Sequence, residues 1–253
     1  MLVRAAQAGA PEPLEVYMIR RNKGMKFLGG YYAFPGGKVD AADGAAESLA
    51  RCRGITSDAA ARALGEDAEV TPLAYWVTAV RELLEESGIL LACDERGRPI
   101  DASRGPVVET IERCRERLMA GASFADLLAG AGWFCDARPL RYLSHFITPR
   151  TSPIRFTARF FLCPLPPGQV PRLFTEETSE GFWIHPGEGY RRFMADDMAM
   201  AEPAEYGLGY LAQFASLDEV WHCTDGALKF RGIVDRIDAF WKDFDWKANR
   251  WVK

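Results

Sequence analysis

The chain has 253 residues, of which 48% are hydrophobic and 26% are charged, and its formal net charge is −4. This length and apolar content are sufficient for a full hydrophobic core, and one elaborated domain is favoured over two. The slightly acidic balance gives no basic surface for nucleic acid, and no run approaches the roughly eighteen apolar residues that a membrane span needs. The composition therefore indicates neither a nucleic acid nor a membrane as the partner.

Six cysteines are scattered along the chain without a C-x-x-C pair. That spacing favours reduced, mostly buried thiols over a disulfide framework or a zinc site. The first residues lack the long apolar core of a secretory signal, and Trp251-Val252-Lys253 is not a peroxisomal address. These features together predict a cytoplasmic protein.

The first predicted elements are two strands with a basic, glycine-containing segment between them. Residues 14–20 have the β-branched and aromatic content of a strand, and residues 31–34 form a short aromatic one. The segment between them contains Arg21 and Lys26. A Pro-Gly-Gly turn follows at residues 35–37, where glycine allows the backbone to approach a ligand or a metal closely. Two alanine-rich stretches after it, 45–51 and 57–64, predict helices.

The strongest helical pattern runs from Thr71 to Gly88. Thr71 has the side chain of an N-cap residue, Pro72 suits the first helical position, and Gly88 can take the left-handed conformation that ends a helix. Four aliphatic residues fall on one stripe at about 100° per residue, namely Leu73, Val77, Val80 and Leu84.

Three carboxylates, those of Glu82, Glu85 and Glu86, crowd on the opposite side of this helix. Side chains at i, i+3 and i+4 are neighbours, so the three charges repel one another unless a cation lies among them. Hard divalent cations take oxygen ligands, and Mg²⁺ is the common one. The pattern therefore favours a metal-binding face, and a solvated acidic face is the alternative.

The remainder of the chain predicts three further strands and five further helices. In chain order these are helices at 107–120 and 123–128, strands at 140–147, 155–162 and 181–186, and helices at 206–214, from 216 onward and at 232–240. Ser216 and Glu219 have the spacing of a capping box. The last helix has an apolar stripe, which favours a face docked on the domain and leaves a homodimer contact as the alternative.

Residues 81–89, Arg-Glu-Leu-Leu-Glu-Glu-Ser-Gly-Ile, match the pattern R-E-U-x-E-E-x-G-U, with U aliphatic, at every constrained position. This is the second half of the Nudix box, and Phe34-Pro35-Gly36-Gly37 looks like the strand-to-loop turn with which that box begins. The chain thus resembles the Nudix hydrolases. The resemblance implies an α/β fold, an α/β/α sandwich with a mixed sheet.

One branch of that superfamily, the peroxisomal coenzyme A diphosphatases, is especially similar. Its pattern F-P-G-G-x-x-D-x-x-D is met by residues 34–43, and a long insert follows. Forty-three residues separate Gly37 from Arg81, which implies an insert of about thirty residues, near 41–71, that splits the box. The glutamate of the first half is absent, and Asp43 stands at its place.

The resemblance divides the chain into a Nudix hydrolase domain and a helical extension. We place the first at residues 11–190, with the helical insert inside the box. The second spans 191–253 and is expected to pack on the same domain.

The reaction that the resemblance implies is hydrolysis of a nucleoside diphosphate linked to another moiety. Mg²⁺ or Mn²⁺ screens the diphosphate so that water can attack phosphorus. Glu85 and Glu86 are the first candidates for metal ligands, Glu82 is a ligand or the base for a metal-bound water, and the Gly37 carbonyl is a further ligand by resemblance. Arg81 orients the carboxylates, with an ordinary i,i+4 surface pair as the alternative.

Further candidate residues lie outside the box. Nudix enzymes often use an additional acid from another loop, and three cations are placed to bind phosphates, although ordinary surface charges are the alternative for each. The acids are Glu176, Glu177 and Glu180, and the cations are Arg21, Lys26 and Arg155.

Coenzyme A or an acyl-coenzyme A is the substrate that the branch resemblance favours. A coenzyme A signature before the box is met by Arg21, Lys26 and Gly30, whereas Ile19 and Asn22 depart from it. ADP-ribose, NADH and nucleotide sugars are alternatives, because the box is common to enzymes that cleave them. A nucleotide-sensing module that binds without cleaving is a second class, but it would be expected to have lost box carboxylates.

Overall fold

A computed structural model describes residues 1–25, 28–65, 68–147, 157–173, 178–224, 244–245 and 250–251. The chain forms two compact units. The terminal unit contains residues 1–34, 145–158 and 182–253, and the central unit contains residues 35–144 and 159–181. The predicted boundary between residues 190 and 191 stays a prediction.

The terminal unit contains an antiparallel group of three strands. Strand β1 (Leu2–Ala5) pairs with β2 (Leu14–Arg21), and β2 pairs with β3 (Tyr32–Ala33). Val3 lies opposite Val16, and Ile19 lies opposite Ala33 in these ladders. Consecutive residues of β2 are buried, so both faces of this strand are covered. The sequence predicted β2 and β3, but β1 is too short to show a pattern.

The same unit contains three described helices. They are α6 (Pro186–Met194), α7 (Glu202–Leu211) and α8 (Leu217–Thr224), and two short antiparallel strands follow, β10 (Phe244–Asp245) and β11 (Arg250–Trp251). Helix α6 was not predicted, because Pro186 was interpreted as the end of a strand, whereas it occupies the first turn of a helix. The predicted helix 232–240, with its homodimer alternative, lies outside the described residues.

The central unit contains the predicted insert, which is largely helical. A single 3₁₀ turn spans Ala41–Gly44, and the insert continues with α1 (Ala46–Ala50), β4 (Cys52–Arg53) and α2 (Ser57–Leu64). Thr56 accepts a hydrogen bond from the Ala59 N–H at 3.1 Å and so caps α2. The helices were predicted, and the two-residue strand between them was not.

A small mixed sheet joins the insert to the later part of the central unit. Strand β4 runs parallel to β6 (Phe134–Asp136), and β5 (Ala92–Cys93) runs antiparallel to it. The remaining helices of this unit are α3 (Ala74–Ser87), α4 (Gly105–Met119) and α5 (Phe124–Gly130). Strands β7 (Arg141–Ile147), β8 (Thr157–Pro164) and β9 (Thr178–Ile184) complete the described elements.

The predicted α/β class, with a mixed sheet and a helical insert, is confirmed. Within the described residues no helix has both the length and the apolar content to cross a membrane. Five of the six cysteines, Cys52, Cys93, Cys114, Cys135 and Cys163, are free and buried, as their spacing predicted.

Candidate active site

Helix α3 carries the three carboxylates of the Nudix-like pattern and is buried along most of its length. Its predicted stripe is confirmed, since Leu73, Val77, Val80 and Leu84 are each no more than 4% exposed. Gly88 ends the helix at φ 71°, and its N–H donates to the Leu84 carbonyl at 2.9 Å. These contacts fix the rotation of the helix and therefore the direction of its opposite face.

The predicted start of this helix was wrong. The first α-helical residue is Ala74, and Leu73 rather than Thr71 is the N-cap residue. Residues 71–73 form a tight turn instead, in which the Ala74 N–H donates to the Thr71 carbonyl at 2.9 Å. The sequence Thr-Pro is compatible with either turn, so the pattern did not decide between them.

The guanidinium of Arg81 is the centre of the site. Its Nε and Nη2 atoms donate to Asp43 at 2.8 and 2.9 Å, and Nη2 also donates to the Lys38 carbonyl at 2.7 Å. Its Nη1 atom donates to Glu82 Oε1 at 2.9 Å and to Glu85 Oε1 at 3.1 Å. Burial alone would lower the pKa of Arg81, but the hydrogen bond to Asp43 and the neighbouring carboxylates raise that pKa above its ordinary value.

Asp43 is the buried partner of Arg81, and the sequence did not assign it a role. It is 2% exposed, and it also accepts a hydrogen bond from Thr78 Oγ1 at 2.7 Å. The 3₁₀ turn at the start of the insert carries Asp43 to the side of α3. An aspartate at the place of the box glutamate therefore forms the buried ion pair with Arg81. The sequence signal that could have assigned it is that a buried arginine needs a carboxylate partner.

Glu82 is buried beside the Pro-Gly-Gly turn. Its residue exposure is 8%, and a Cβ added to Gly37 would lie 2.5 Å from its Oε2 atom. Burial raises the pKa of Glu82 to about 7; Arg81 opposes this shift, and the charges of Glu85 and Asp43 add to it. The acidic face of α3 is therefore not solvated at Glu82. Glycine is required at position 37 because the turn approaches the Glu82 carboxylate closely.

Glu86 is tied to the same turn. Its Oε2 atom accepts a hydrogen bond from the Gly36 N–H at 2.7 Å, although the two residues lie 50 positions apart. The structure thus brings together both halves of the split box, since Gly36 and Gly37 contact the carboxylates of Glu86 and Glu82.

The donor set fits a hard divalent cation in its chemistry, because it consists of carboxylate and carbonyl oxygens. Glu82 and Glu85 are drawn to one nitrogen of Arg81, and Gly37 lies against Glu82. Across the described ranges, no group of three or more His, Cys, Asp or Glu side chains has an arrangement that could hold a metal ion. A cation would therefore have to draw these carboxylates away from their present hydrogen-bond partners.

The other predicted site residues are placed as follows. Arg21 ends β2 in the terminal unit, and Glu180 lies in β9 with an exposed side chain. Four others fall outside the described residues, namely Lys26, Arg155, Glu176 and Glu177.

The fold and the residues around Arg81 define a Nudix hydrolase. A crystal structure of a NUDIX hydrolase from Alicyclobacillus acidocaldarius superposes with a TM-score of 0.71 at 31% sequence identity, covering 88% of this chain and 93% of that one. The similarity therefore extends over nearly the whole of both proteins.

A family model places the chain in one particular branch of the Nudix hydrolases. Residues 1–211 match the model of the NUDT19 Nudix domain, and the chain belongs to this family. Nudix hydrolases act on small-molecule diphosphates and generally use divalent metals. The resemblance inferred from the two halves of the box is thereby confirmed, as is the prediction that the protein is an enzyme.

Several curated relatives share this domain. The acyl-coenzyme A diphosphatase NUDT19 of Gallus gallus is 29% identical, over 83% of this chain, and its Homo sapiens counterpart is 27% identical, over 85%. The putative nudix hydrolase 7 of Caenorhabditis elegans is 28% identical, over 80% of this chain. The chain spans 66%, 66% and 57% of the lengths of these three proteins, respectively.

Proposed function

We propose that this enzyme cleaves the diphosphate bridge of coenzyme A or of an acyl-coenzyme A, with Mg²⁺ or Mn²⁺, in the cytoplasm. The observation that carries the proposal is that Arg81 bonds to Glu82 and Glu85 while the Pro-Gly-Gly turn contacts Glu82 and Glu86. Relatives described as acyl-coenzyme A diphosphatases favour the substrate. The free thiols of the described cysteines favour the compartment.

Glu85 and Glu86 would hold the metal, together with Glu82 and the Gly37 carbonyl. The bound cation supplies charge neutralisation for the diphosphate and lowers the pKa of water. Arg81 holds Glu82 and Glu85 in place through Nη1, while Asp43 holds Arg81. These side chains therefore prepare an oxygen-lined surface for one end of the diphosphate.

Glu82, a metal ligand or the base for the attacking water, is buried beside the Pro-Gly-Gly turn and is held by Arg81 Nη1. In the proposed step it takes a proton from the attacking water. The new bond joins the water oxygen to one phosphorus, and the bond from that phosphorus to the bridging oxygen breaks. For coenzyme A the products are 4′-phosphopantetheine and adenosine 3′,5′-bisphosphate.

Arg21, Lys26 and Arg155 would bind phosphates of the substrate, and one acid of Glu176, Glu177 and Glu180 would assist. Of these, Arg21 has structural support, because its buried Nε atom has no hydrogen-bond partner within the described part of the chain. A buried donor of this kind is stabilised by an acceptor such as a phosphate oxygen.

The test is a comparison of diphosphate substrates with product identification by mass spectrometry. Coenzyme A, an acyl-coenzyme A, dephospho-coenzyme A, ADP-ribose, NADH and a nucleotide sugar are each incubated with the enzyme and Mg²⁺. We expect coenzyme A compounds to be preferred, and kcat/KM to fall about tenfold for dephospho-coenzyme A, because one charge-assisted contact to the 3′-phosphate is lost.

Two results would contradict this proposal. A clear preference for ADP-ribose, NADH or a nucleotide sugar would assign the site to that substrate class. Tight nucleotide binding without turnover of any compound would instead indicate a sensing module. The Arg21→Ala variant is the matched control, since it should lose the discrimination between coenzyme A and its dephospho form.

A further inference from the structure

The C-terminal end of α3 has carbonyl groups that the helix itself does not satisfy. The last four carbonyls of any helix lack a partner four residues later. Here the Glu85 carbonyl accepts hydrogen bonds from Arg115 Nε at 3.0 Å and from Nη2 at 2.8 Å. The Ser87 carbonyl accepts one from the Arg172 N–H at 2.8 Å. The end of the helix is therefore capped by two other segments of the central unit.

Arg115 bonds to both of the segments that meet here. It lies on α4 and is 7% exposed, and its Nη1 atom donates to the Arg172 carbonyl at 2.8 Å. One guanidinium thus joins the Glu85 carbonyl to the Arg172 carbonyl. A cation at this end of a helix also interacts favourably with the helix dipole.

Gly88 and Gln169 show that the fit at this junction is close. A Cβ added to Gly88 would lie 3.2 Å from Arg115 Nη1. Glycine at this position therefore allows the left-handed conformation and also leaves space for the arginine side chain. The side-chain amide of Gln169 makes two hydrogen bonds to the backbone of Leu90, each of 2.8 Å. Residues 168–172 therefore hydrogen-bond to the chain both at the last residue of α3, Ser87, and just beyond the helix, at Leu90.

We propose that Arg115 is a positioning residue for the hydrolase reaction. By holding the backbone of Glu85, it fixes the last turn of α3 and with it the carboxylates of Glu85 and Glu86. It also fixes that turn relative to residues 168–172, which lead into β9. This inference rests on the proposed function, because the carboxylates that it positions are those assigned to the metal and the diphosphate.

The first experiment compares Arg115→Ala with Arg117→Ala, which removes the same charge from an exposed position of the same helix. Displacement of reacting groups by about 1 Å costs up to about a hundredfold in rate. We expect kcat of Arg115→Ala to fall at least about tenfold while KM changes less than about threefold. Arg117→Ala should retain the wild-type kcat and KM.

Chemical rescue separates positioning from general destabilisation. The truncated side chain leaves a space that a guanidinium ion can fill, with the same donors toward the Glu85 and Arg172 carbonyls. Millimolar guanidinium chloride should restore kcat of Arg115→Ala several-fold, whereas sodium chloride at the same ionic strength should not. Arg115→Lys, which keeps the charge but loses the planar fork, should show an intermediate kcat; this variant preserves the test if Arg115→Ala does not fold.

A readout without turnover distinguishes failure of this inference from failure of the proposed function. Amide hydrogen exchange should become faster in residues 83–92 and 165–173 of Arg115→Ala or Arg115→Lys, and not in Arg117→Ala. Faster exchange in an enzyme that cleaves no diphosphate would overturn the proposed function and, with it, the catalytic meaning of the contact. Unchanged exchange, or unchanged kcat in a folded Arg115 variant, would overturn the positioning role itself.

Discussion

Asp43 and Arg81 form a buried ion pair with two hydrogen bonds, of 2.8 and 2.9 Å, although they lie 38 positions apart in the chain. Their side chains are 2% and 7% exposed. The insert that splits the box therefore begins with the residue that holds its second half in place. Arg81 in turn donates to the carboxylates of Glu82 and Glu85, so a change at Asp43 reaches the candidate metal ligands through one side chain.

Asp43→Asn should destabilise the protein and reduce turnover. Removal of one partner of a buried ion pair costs up to about 3–5 kcal/mol, and the remaining bonds from Arg81 to Glu82 and Glu85 reduce that cost. Denaturant unfolding and steady-state kinetics measure the two effects. Asp40→Asn is the control, since the Asp40 side chain is 67% exposed and lies 3.6 Å from Arg81 Nη2. Equal stability of the two variants would show that the pair does not hold Arg81.

Removal of divalent metal should abolish activity. The site presents several carboxylates to a polyanionic substrate, and such a substrate binds there only when a cation screens the repulsion. The measurement is turnover after exhaustive EDTA treatment, followed by titration with Mg²⁺ and Mn²⁺. Activity should return with either ion. Undiminished turnover after the treatment would contradict the metal assignment.

Glu86→Gln should abolish turnover and leave the fold intact. The amide oxygen of glutamine can accept the same hydrogen bond from the Gly36 N–H, but an amide binds a divalent cation more weakly than a carboxylate does. Single changes to glutamine at Glu176, Glu177 and Glu180 serve as comparisons, and at most one of them should cause a similar loss. If Glu86→Gln unfolds at the same temperature as the wild type and has a near-normal kcat, the metal site is misplaced.

Gly37→Ala tests the close approach between the turn and Glu82. The new Cβ would lie 2.5 Å from Glu82 Oε2, so the carboxylate must move away from its bond to Arg81. We expect kcat to fall about tenfold or more, since a small displacement of a catalytic group is costly. Gly44→Ala is the control, because its Cβ would meet the Ala74 side chain at an ordinary 3.7 Å. Similar kinetics for both variants would refute the need for glycine at position 37.

The sequence predicted the part of the site that is local in the chain. Residues 73–88 carry a periodic apolar stripe, an acidic face and a terminal glycine, so the sequence located the three carboxylates and the end of α3. Asp43 could not be assigned in this way, because the insert moves it 38 residues from its partner and conceals the spacing of the box.

Two other features were not predicted, for different reasons. Arg115 caps a carbonyl 30 residues away, and any arginine on a helix has the same sequence signature. Helix α6 follows a strand without a loop, and its N-cap residue His185 makes no side-chain cap. Pro186 did give a signal for the first turn of α6, but it was interpreted as the end of a strand. The contact of Arg115 is tertiary, and periodicity and capping rules do not describe it.

Glu205 gives the protein a pH-dependent stability that is separate from the active site. It lies in α7 and is 3% exposed, and its Oε1 atom has no hydrogen-bond partner among the residues described. Burial, with a smaller contribution from the charge of Glu202, raises the pKa of Glu205 to about 7, from an ordinary value of 4.5. The folded state therefore retains this proton at pH values at which the unfolded chain has released it.

The direction of the effect follows from this difference in bound protons. Between about pH 4.5 and pH 7 the native state binds more protons than the unfolded state, so the free energy of unfolding falls as the pH rises. Glu205→Gln removes the titration and keeps the shape. Its melting temperature should therefore be close to that of the wild type at pH 5 and should exceed it at pH 8. Asp218→Asn removes one exposed negative charge from the same unit and controls for net charge. The difference in melting temperature between Glu205→Gln and the wild type should widen from pH 5 to pH 8. If it stays constant or narrows, Glu205 is already ionised in the folded protein at pH 5.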